Sequence, residues 1–146
     1  MLIVDDNEDD VVIFTRNLRV AGLKNPVLQF KNGGDVFMFL KQFCEPDKAK
    51  GLLPAVMFLD VNMQGLSGFD VLAWARQQPA LERMKIFMLS GANETWDAQI
   101  AAKLGADDYL EKFPAPETLK EILSQVRTLP LRSDTATANH PPQFLG

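Results

Sequence analysis

Five short apolar runs alternate with five helix-length segments along this chain, and that alternation restricts its fold more than any other feature. The runs lie at Met1 to Val4, Val27 to Phe30, Ala55 to Leu59, Ile86 to Leu89 and Tyr109 to Leu110. A run such as Ala55 to Leu59 is apolar throughout rather than at every second position, the pattern of strands covered on both faces. Between the runs, apolar residues recur three and four positions apart: Val11, Phe14 and Leu18; Val36, Phe37 and Leu40; Phe69, Leu72 and Ala75; Ile100, Ala101 and Leu104; Leu119, Ile122, Leu123 and Val126. Each set lines one face of a helix. Strict alternation predicts an α/β fold: a doubly wound, five-stranded parallel sheet flanked by five helices.

The punctuation agrees. Gly22 and Gly105 stand where helices should close, and Pro26, Pro54 and Pro116 stand at or near element starts. Cys44 to Leu53 reads as a long loop. Beyond Leu131 no apolar period survives, which predicts one domain over residues 1–130 and a disordered tail over 131–146. A length of 146 residues suits a single domain. A net charge of −4 without a basic block argues against a nucleic-acid partner. No apolar stretch approaches the roughly 18 residues of a membrane span, and no basic region precedes an apolar core at the N-terminus. Cys44 is the single cysteine, which rules out an intrachain disulfide. Together these predict a cytoplasmic protein without membrane contact.

In an open parallel sheet, ligands and reactive groups gather at the carboxyl ends of the strands. There this sequence places Asp5 and Asp6 after the first run, Asp60 after the third, Ser90 after the fourth and Lys112 just after the fifth. Asp5, Asp6, Glu8, Asp9 and Asp10 concentrate five acids in six positions, a repulsive arrangement unless a cation relieves it. Glu8, Asp9 and Asp10 are accounted for as solvated acids at the positive end of the first helix. Asp5 and Asp6, expected to be buried, form with Asp60 an all-oxygen donor set suited to Mg²⁺. With the cation and Lys112 as partners, Asp60 can act as a nucleophile toward a phosphoryl group, while Ser90 donates to one of its oxygens.

In this order the residues resemble a known family. Leu2-Ile3-Val4-Asp5-Asp6-Asn7, Met57-Phe58-Leu59-Asp60-Val61-Asn62-Met63 followed by Gly65 and Gly68, Met88-Leu89-Ser90-Gly91-Ala92, and Gly105-Ala106-Asp107-Asp108-Tyr109-Leu110-Glu111-Lys112 look like receiver domains of bacterial two-component response regulators. The likeness covers Met1 to about Thr128. It implies the flavodoxin-like fold of chemotaxis-type regulators, and a chain that accepts a phosphoryl group from a histidine kinase or phosphotransfer protein without being an enzyme on other substrates. It further implies Asp60 as phosphoacceptor and Asp5 with Asp6 as the acidic pair, Asp6 being the more direct Mg²⁺ ligand. Asn62 would offer its backbone carbonyl to the metal. Ser90 matches the switch hydroxyl, Lys112 the family's lysine and Tyr109 the aromatic residue that moves with the switch. A single-domain regulator that signals through altered contacts with a downstream protein, as a monomer or weak homodimer, is the expectation.

Two departures stand out. Gln64 replaces the family's usual proline, and Lys112-Phe113-Pro114 places a proline one residue later than the usual Lys-Pro. On amide preferences alone, Lys112–Phe113 should be trans, because a non-proline cis bond costs about 3 to 4 kcal/mol against about 0.5 to 1 at Phe113–Pro114. Trp74 and Trp96 fall off the apolar stripes and are candidate contact residues; the resemblance puts Trp96 on the family's usual signalling face. The loop from Cys44 to Leu53 and Pro79-Ala80-Leu81-Glu82-Arg83 are similar to those of stand-alone regulators that partner phytochrome-type kinases. Two rival classes use related residues. A haloacid dehalogenase-type phosphatase would carry its nucleophile after the first strand rather than the third, and an adaptor that kept the fold would take no phosphoryl group. A flavodoxin-like cofactor protein would need a first loop that cradles phosphate, and this acidic loop repels it.

Overall fold

Successive strand residues point to opposite faces, so a strand with helices on both sides must be apolar at every position. The computed structural model describes residues 1–45, 53–91 and 95–127, with only the backbone of residues 95, 96 and 127. It contains β1 (Leu2–Val4), α1 (Glu8–Val20), β2 (Leu28–Phe30), α2 (Gly33–Lys41), β3 (Val56–Asp60), α3 (Gly68–Arg76), β4 (Lys85–Ser90), α4 (Thr95–Leu104), β5 (Asp108–Glu111) and α5 (Pro116–Arg127). Short 3-10 turns occupy Gln42–Cys44 and Pro79–Leu81. All strand pairs are parallel, in the order β2-β1-β3-β4-β5. This is the doubly wound α/β architecture that the alternation predicts.

The two faces can be read residue by residue. Leu2, Val4, Met57, Leu59, Ile86 and Met88 pack with Val36 and Leu40 of α2, Val71, Leu72 and Ala75 of α3, and Ala101 of α4. Ile3, Val56, Phe58, Phe87 and Leu89 pack with Val11, Phe14 and Leu18 of α1 and Leu119, Ile122 and Leu123 of α5. Phe58 joins the second layer through its ring, which meets Phe14 edge-on at 4.8 Å and stacks on Phe87 at 5.4 Å. Such pairs add about 0.5 to 1.5 kcal/mol beyond the area they bury.

Local signals set the helix ends. Asn7 caps α1 by accepting from the Asp10 amide, and Asn32 caps α2 by accepting from that of Asp35. Ser67 and Asp70 form a reciprocal capping box on α3. α1 and α4 end at Gly22 and Gly105, both at positive φ. Pro116 opens α5, where its missing N–H costs nothing.

Several expectations need correction. Asp60 is the last residue of β3, paired with Leu89, so the strand runs one residue past the apolar run that ends at Leu59. The loop expected from Cys44 begins within a 3-10 turn, and residues 46–52 lie outside the described residues, as do residues 131–146. Trp74 is half-buried and packs edge-on against Phe37 of α2 at 4.6 Å, because α2 covers the flank of α3 that the stripe left bare. The side chain of Trp96 lies outside the described residues. Lys112–Phe113 is cis, contrary to the preference of an isolated amide. Tertiary bonds fix both sides of that link: the Lys112 amide donates to the Ser90 carbonyl at 2.7 Å, and Asn17 Nδ2 donates to the Pro114 carbonyl at 3.2 Å.

Candidate functional site

The chain steps from β1 outward to β2 and then returns across β1 to β3. The crossovers thus diverge between β1 and β3, leaving a crevice at their carboxyl ends. Asp5 follows the last residue of β1 and Asp60 ends β3, so both acids stand at this switch point. Both are buried, at 2% and 5% exposure, as is Ser90 at the end of β4. These are the buried polar residues of the described chain, and all three sit on one edge of the sheet.

Burial of carboxylates is costly unless they are paired, and Lys112 supplies the pairing. Its Nζ lies 2.8 Å from Asp5 Oδ2, 3.0 Å from Asp10 Oδ2 and 3.5 Å from Asp60 Oδ2. Backbone amides orient the other oxygens: Asn7 N–H donates to Asp5 Oδ1 at 2.9 Å, and Asn62 N–H donates to Asp60 Oδ1 at 3.3 Å. Burial first, and then the charge of Asp5, push the Asp60 carboxyl up to about 6, while Lys112 holds it from rising further. Burial would by itself lower the Lys112 ammonium; its bonds to Asp5 and Asp10, with the charges of Asp60 and Asp5, outweigh that effect and hold it above its ordinary value.

Close backbone packing fixes the height of the Asp60 carboxylate. Val61 N–H donates to the Leu89 carbonyl at 2.9 Å, and Gly68 N–H donates to the Val61 carbonyl at 3.2 Å. A Cβ at position 68 would run into the Asp60 carbonyl oxygen, so the start of α3 reaches this strand end only with glycine.

Asp5, Asp6 and Asp60 each offer a carboxylate oxygen, all within 4.8 Å of one another. The donor chemistry, three acids without nitrogen or sulfur, fits a hard divalent cation. Asp6, however, is exposed rather than buried, because it lies two residues past the end of β1, in a bend where the chain has left the covered sheet. Asn62 is exposed beside Asp60. Tyr109 is half-buried on β5, in register with Met88 and packed on the face that carries α2, α3 and α4.

Of the three acids assigned to solvation, Glu8 pairs with Lys31 at the surface, but Asp10 reaches into the site to Lys112. A signal for this was present: Asp10, Phe14 and Leu18 are four apart, and the latter two are buried, so Asp10 continues the buried stripe of α1 at its carboxyl-edge end.

The family described as response regulator receiver domain matches residues 1–124. The transcriptional regulatory protein GltR of Pseudomonas aeruginosa is 30% identical over 129 residues, which are 88% of this chain and 48% of GltR. The chain thus spans about half the length of that curated relative. Chemotaxis protein CheY4 of Vibrio cholerae superposes with a TM-score of 0.67 at 27% identity, covering 86% of this chain and 95% of CheY4. The phosphorylated cyanobacterial phytochrome response regulator RcpA gives 0.68 at 23% identity, covering 90% and 93%. RcpA at that identity is a likeness of fold. Among the described residues, no helix is long and apolar enough to cross a membrane.

Proposed function

Because this chain belongs to the response regulator receiver domain family, we propose that Asp60 is its phosphoacceptor, taking a phosphoryl group from the phosphohistidine of a kinase or phosphotransfer protein. The observation that carries this reading is the meeting of Asp5, Asp60 and Lys112 at the topological switch point, with Ser90 buried on the adjacent strand end. A carboxylate oxygen of Asp60 attacks phosphorus, the phosphorus–oxygen bond forms, the phosphorus–nitrogen bond of the donor breaks and the imidazole leaves. Lys112, whose Nζ stands 3.5 Å from Asp60 Oδ2, binds a phosphoryl oxygen. The Ser90 hydroxyl donates to a second phosphoryl oxygen. A Mg²⁺ ion held by Asp5, Asp6, Asp60 and the Asn62 carbonyl would supply the positive charge that offsets repulsion between carboxylate and phosphoryl oxygens.

The readout follows from position. Ser90 and Tyr109 occupy neighbouring strands that support α4, so drawing the Ser90 hydroxyl toward the phosphoryl group alters the packing open to Tyr109 and the surface beside it. Signalling is thus a change in protein contacts of the unit spanning residues 1–130, in the cytoplasm, and the protein turns over no separate substrate. The fold likeness to RcpA makes a phytochrome-type kinase a reasonable first donor to try. Incubation with acetyl phosphate and Mg²⁺ should add one phosphoryl group by intact mass; chelation of the metal or Asp60→Asn should prevent it. Full labelling of Asp60→Asn, or steady hydrolysis of added phosphoesters, would overturn the assignment.

A further inference from the structure

Lys112 has three carboxylate partners, and only two of them belong to the oxygen cluster suited to a cation. Asp5 and Asp60 are in that cluster; Asp10 is not. Asp10 comes from α1, one turn in from the cap, and its bond to Lys112 spans 102 positions of sequence. Its side chain is 26% exposed, and that of Lys112 10%, so the pair is largely shielded from solvent. A cation would be held by Asp5 and Asp60, and a phosphoryl group on Asp60 would be met by Lys112, which already stands beside both acids. Through both events Asp10 is the partner whose carboxylate has no other duty. Its amide is held by the Asn7 cap at 3.0 Å, which fixes the first turn of the helix from which the carboxylate reaches.

We propose that Asp10 is a positioning residue for phosphoryl transfer: it anchors the Lys112 ammonium over Asp60 when the cation and the phosphoryl group engage Asp5 and Asp60. This rests on the phosphoacceptor reading above and adds to it a residue that acts only through the lysine. Without the anchor, Lys112 is free to settle on the acids it should leave to the cation, and the phosphoryl oxygens meet a displaced charge. The loss then falls on the transfer step rather than on donor binding.

The test is a cycle of four full-length proteins: the parent, Asp10→Asn, Lys112→Ala and the double variant, with Asp10→Glu as the conservative control. Labelling rates with acetyl phosphate and Mg²⁺ are measured across donor concentration. Asp10→Asn should lower the limiting rate about tenfold, as loss of a hydrogen bond between charged groups would, with the half-saturating concentration unchanged. Asp10→Glu should recover most of the rate. In the Lys112→Ala background, Asp10→Asn should change nothing. Should that background label too slowly to time, the affinity of the four proteins for beryllium trifluoride, read by calorimetry, replaces the rate. In metal-free protein, reductive methylation of Lys112 should quicken several-fold in Asp10→Asn while Lys103 is unaffected. An equal fold-loss in both backgrounds would show a general charge effect and overturn the proposal, as would no loss in the parent background. A parent that labels at Asp60 while Asp10→Asn behaves identically sinks this inference alone; a parent that never labels, or labels without Asp60, sinks the functional reading beneath it.

Discussion

The two ends of the sheet carry similar charged groups and balance them oppositely. At the amino end, Asp107 precedes β5; its Oδ2 accepts from Arg76 at 2.9 Å and from the Ile86 amide at 2.8 Å, while Lys85 stands 3.7 Å from Oδ1. Arg76 spends a further donor on the Gly105 carbonyl at 2.8 Å. One acid thus meets two cations and an amide, and the cluster ties α3 to β4 and β5. At the carboxyl end, one ammonium serves Asp5, Asp10 and Asp60, and Asp6 adds another negative charge beside them. A charge cluster that closes on itself holds a fold together. One left with excess negative charge on a buried edge is poised for a cation and for an electrophile, and the fold carries that excess as a burden.

The contrast breaks most visibly at Lys112. Lys112→Ala leaves Asp5 and Asp60 buried without their cation and should destabilise the metal-free protein by about 3 kcal/mol or more at neutral pH, measured by urea unfolding. The loss should shrink as pH falls toward about 6, because Asp60 without the lysine takes up its proton at higher pH than in the parent, and should level off below that, where the parent protonates as well.

The opposite sign is expected at Asp60. Its folded value of about 6 lies above the ordinary 3.8, so between those limits the native state binds a proton that the unfolded chain does not, and stability falls as pH rises. Asp60→Asn should therefore stabilise the metal-free protein at pH 7, by at most about 3 kcal/mol. The gain should fade as pH falls from about 6 to about 4, and denaturant midpoints across that range check it. A constant gain at all pH values would mean that charge is not its source.

At the amino end, Asp107→Ala leaves the Ile86 amide and a half-buried guanidinium without their acceptor, which should cost about 2 kcal/mol. The labelling rate of the folded protein should not change, since the clamp lies at the far end of the sheet. The smallest effect belongs to Lys31→Ala, whose pair with Glu8 is solvent-exposed on both sides; thermal unfolding should show no shift in midpoint beyond experimental error.

What the sequence disclosed follows from range. The alternating apolar runs reported the sheet, and the order of acids, serine and lysine reported the site, because in a doubly wound fold strand ends converge by topology alone. Asp6 was expected to be buried with Asp5, but β1 ends at Val4 and the chain has already turned out of the sheet at Asp6. Asp10 was assigned to helix solvation because its partner stands 102 residues away, and only its place on the Phe14 and Leu18 stripe hinted otherwise. The Lys112–Phe113 bond and the packing of Trp74 depend on contacts between elements, which neither amide preference nor a single helix wheel reports.

The most direct measurement maps the modification itself. The parent protein is labelled with acetyl phosphate and Mg²⁺, reduced with borohydride to convert an acyl phosphate to homoserine, digested and sequenced by mass spectrometry. Phosphoacceptance at the switch point predicts homoserine at position 60 alone; homoserine at position 5, 6 or 10 with Asp60 unmodified would contradict it.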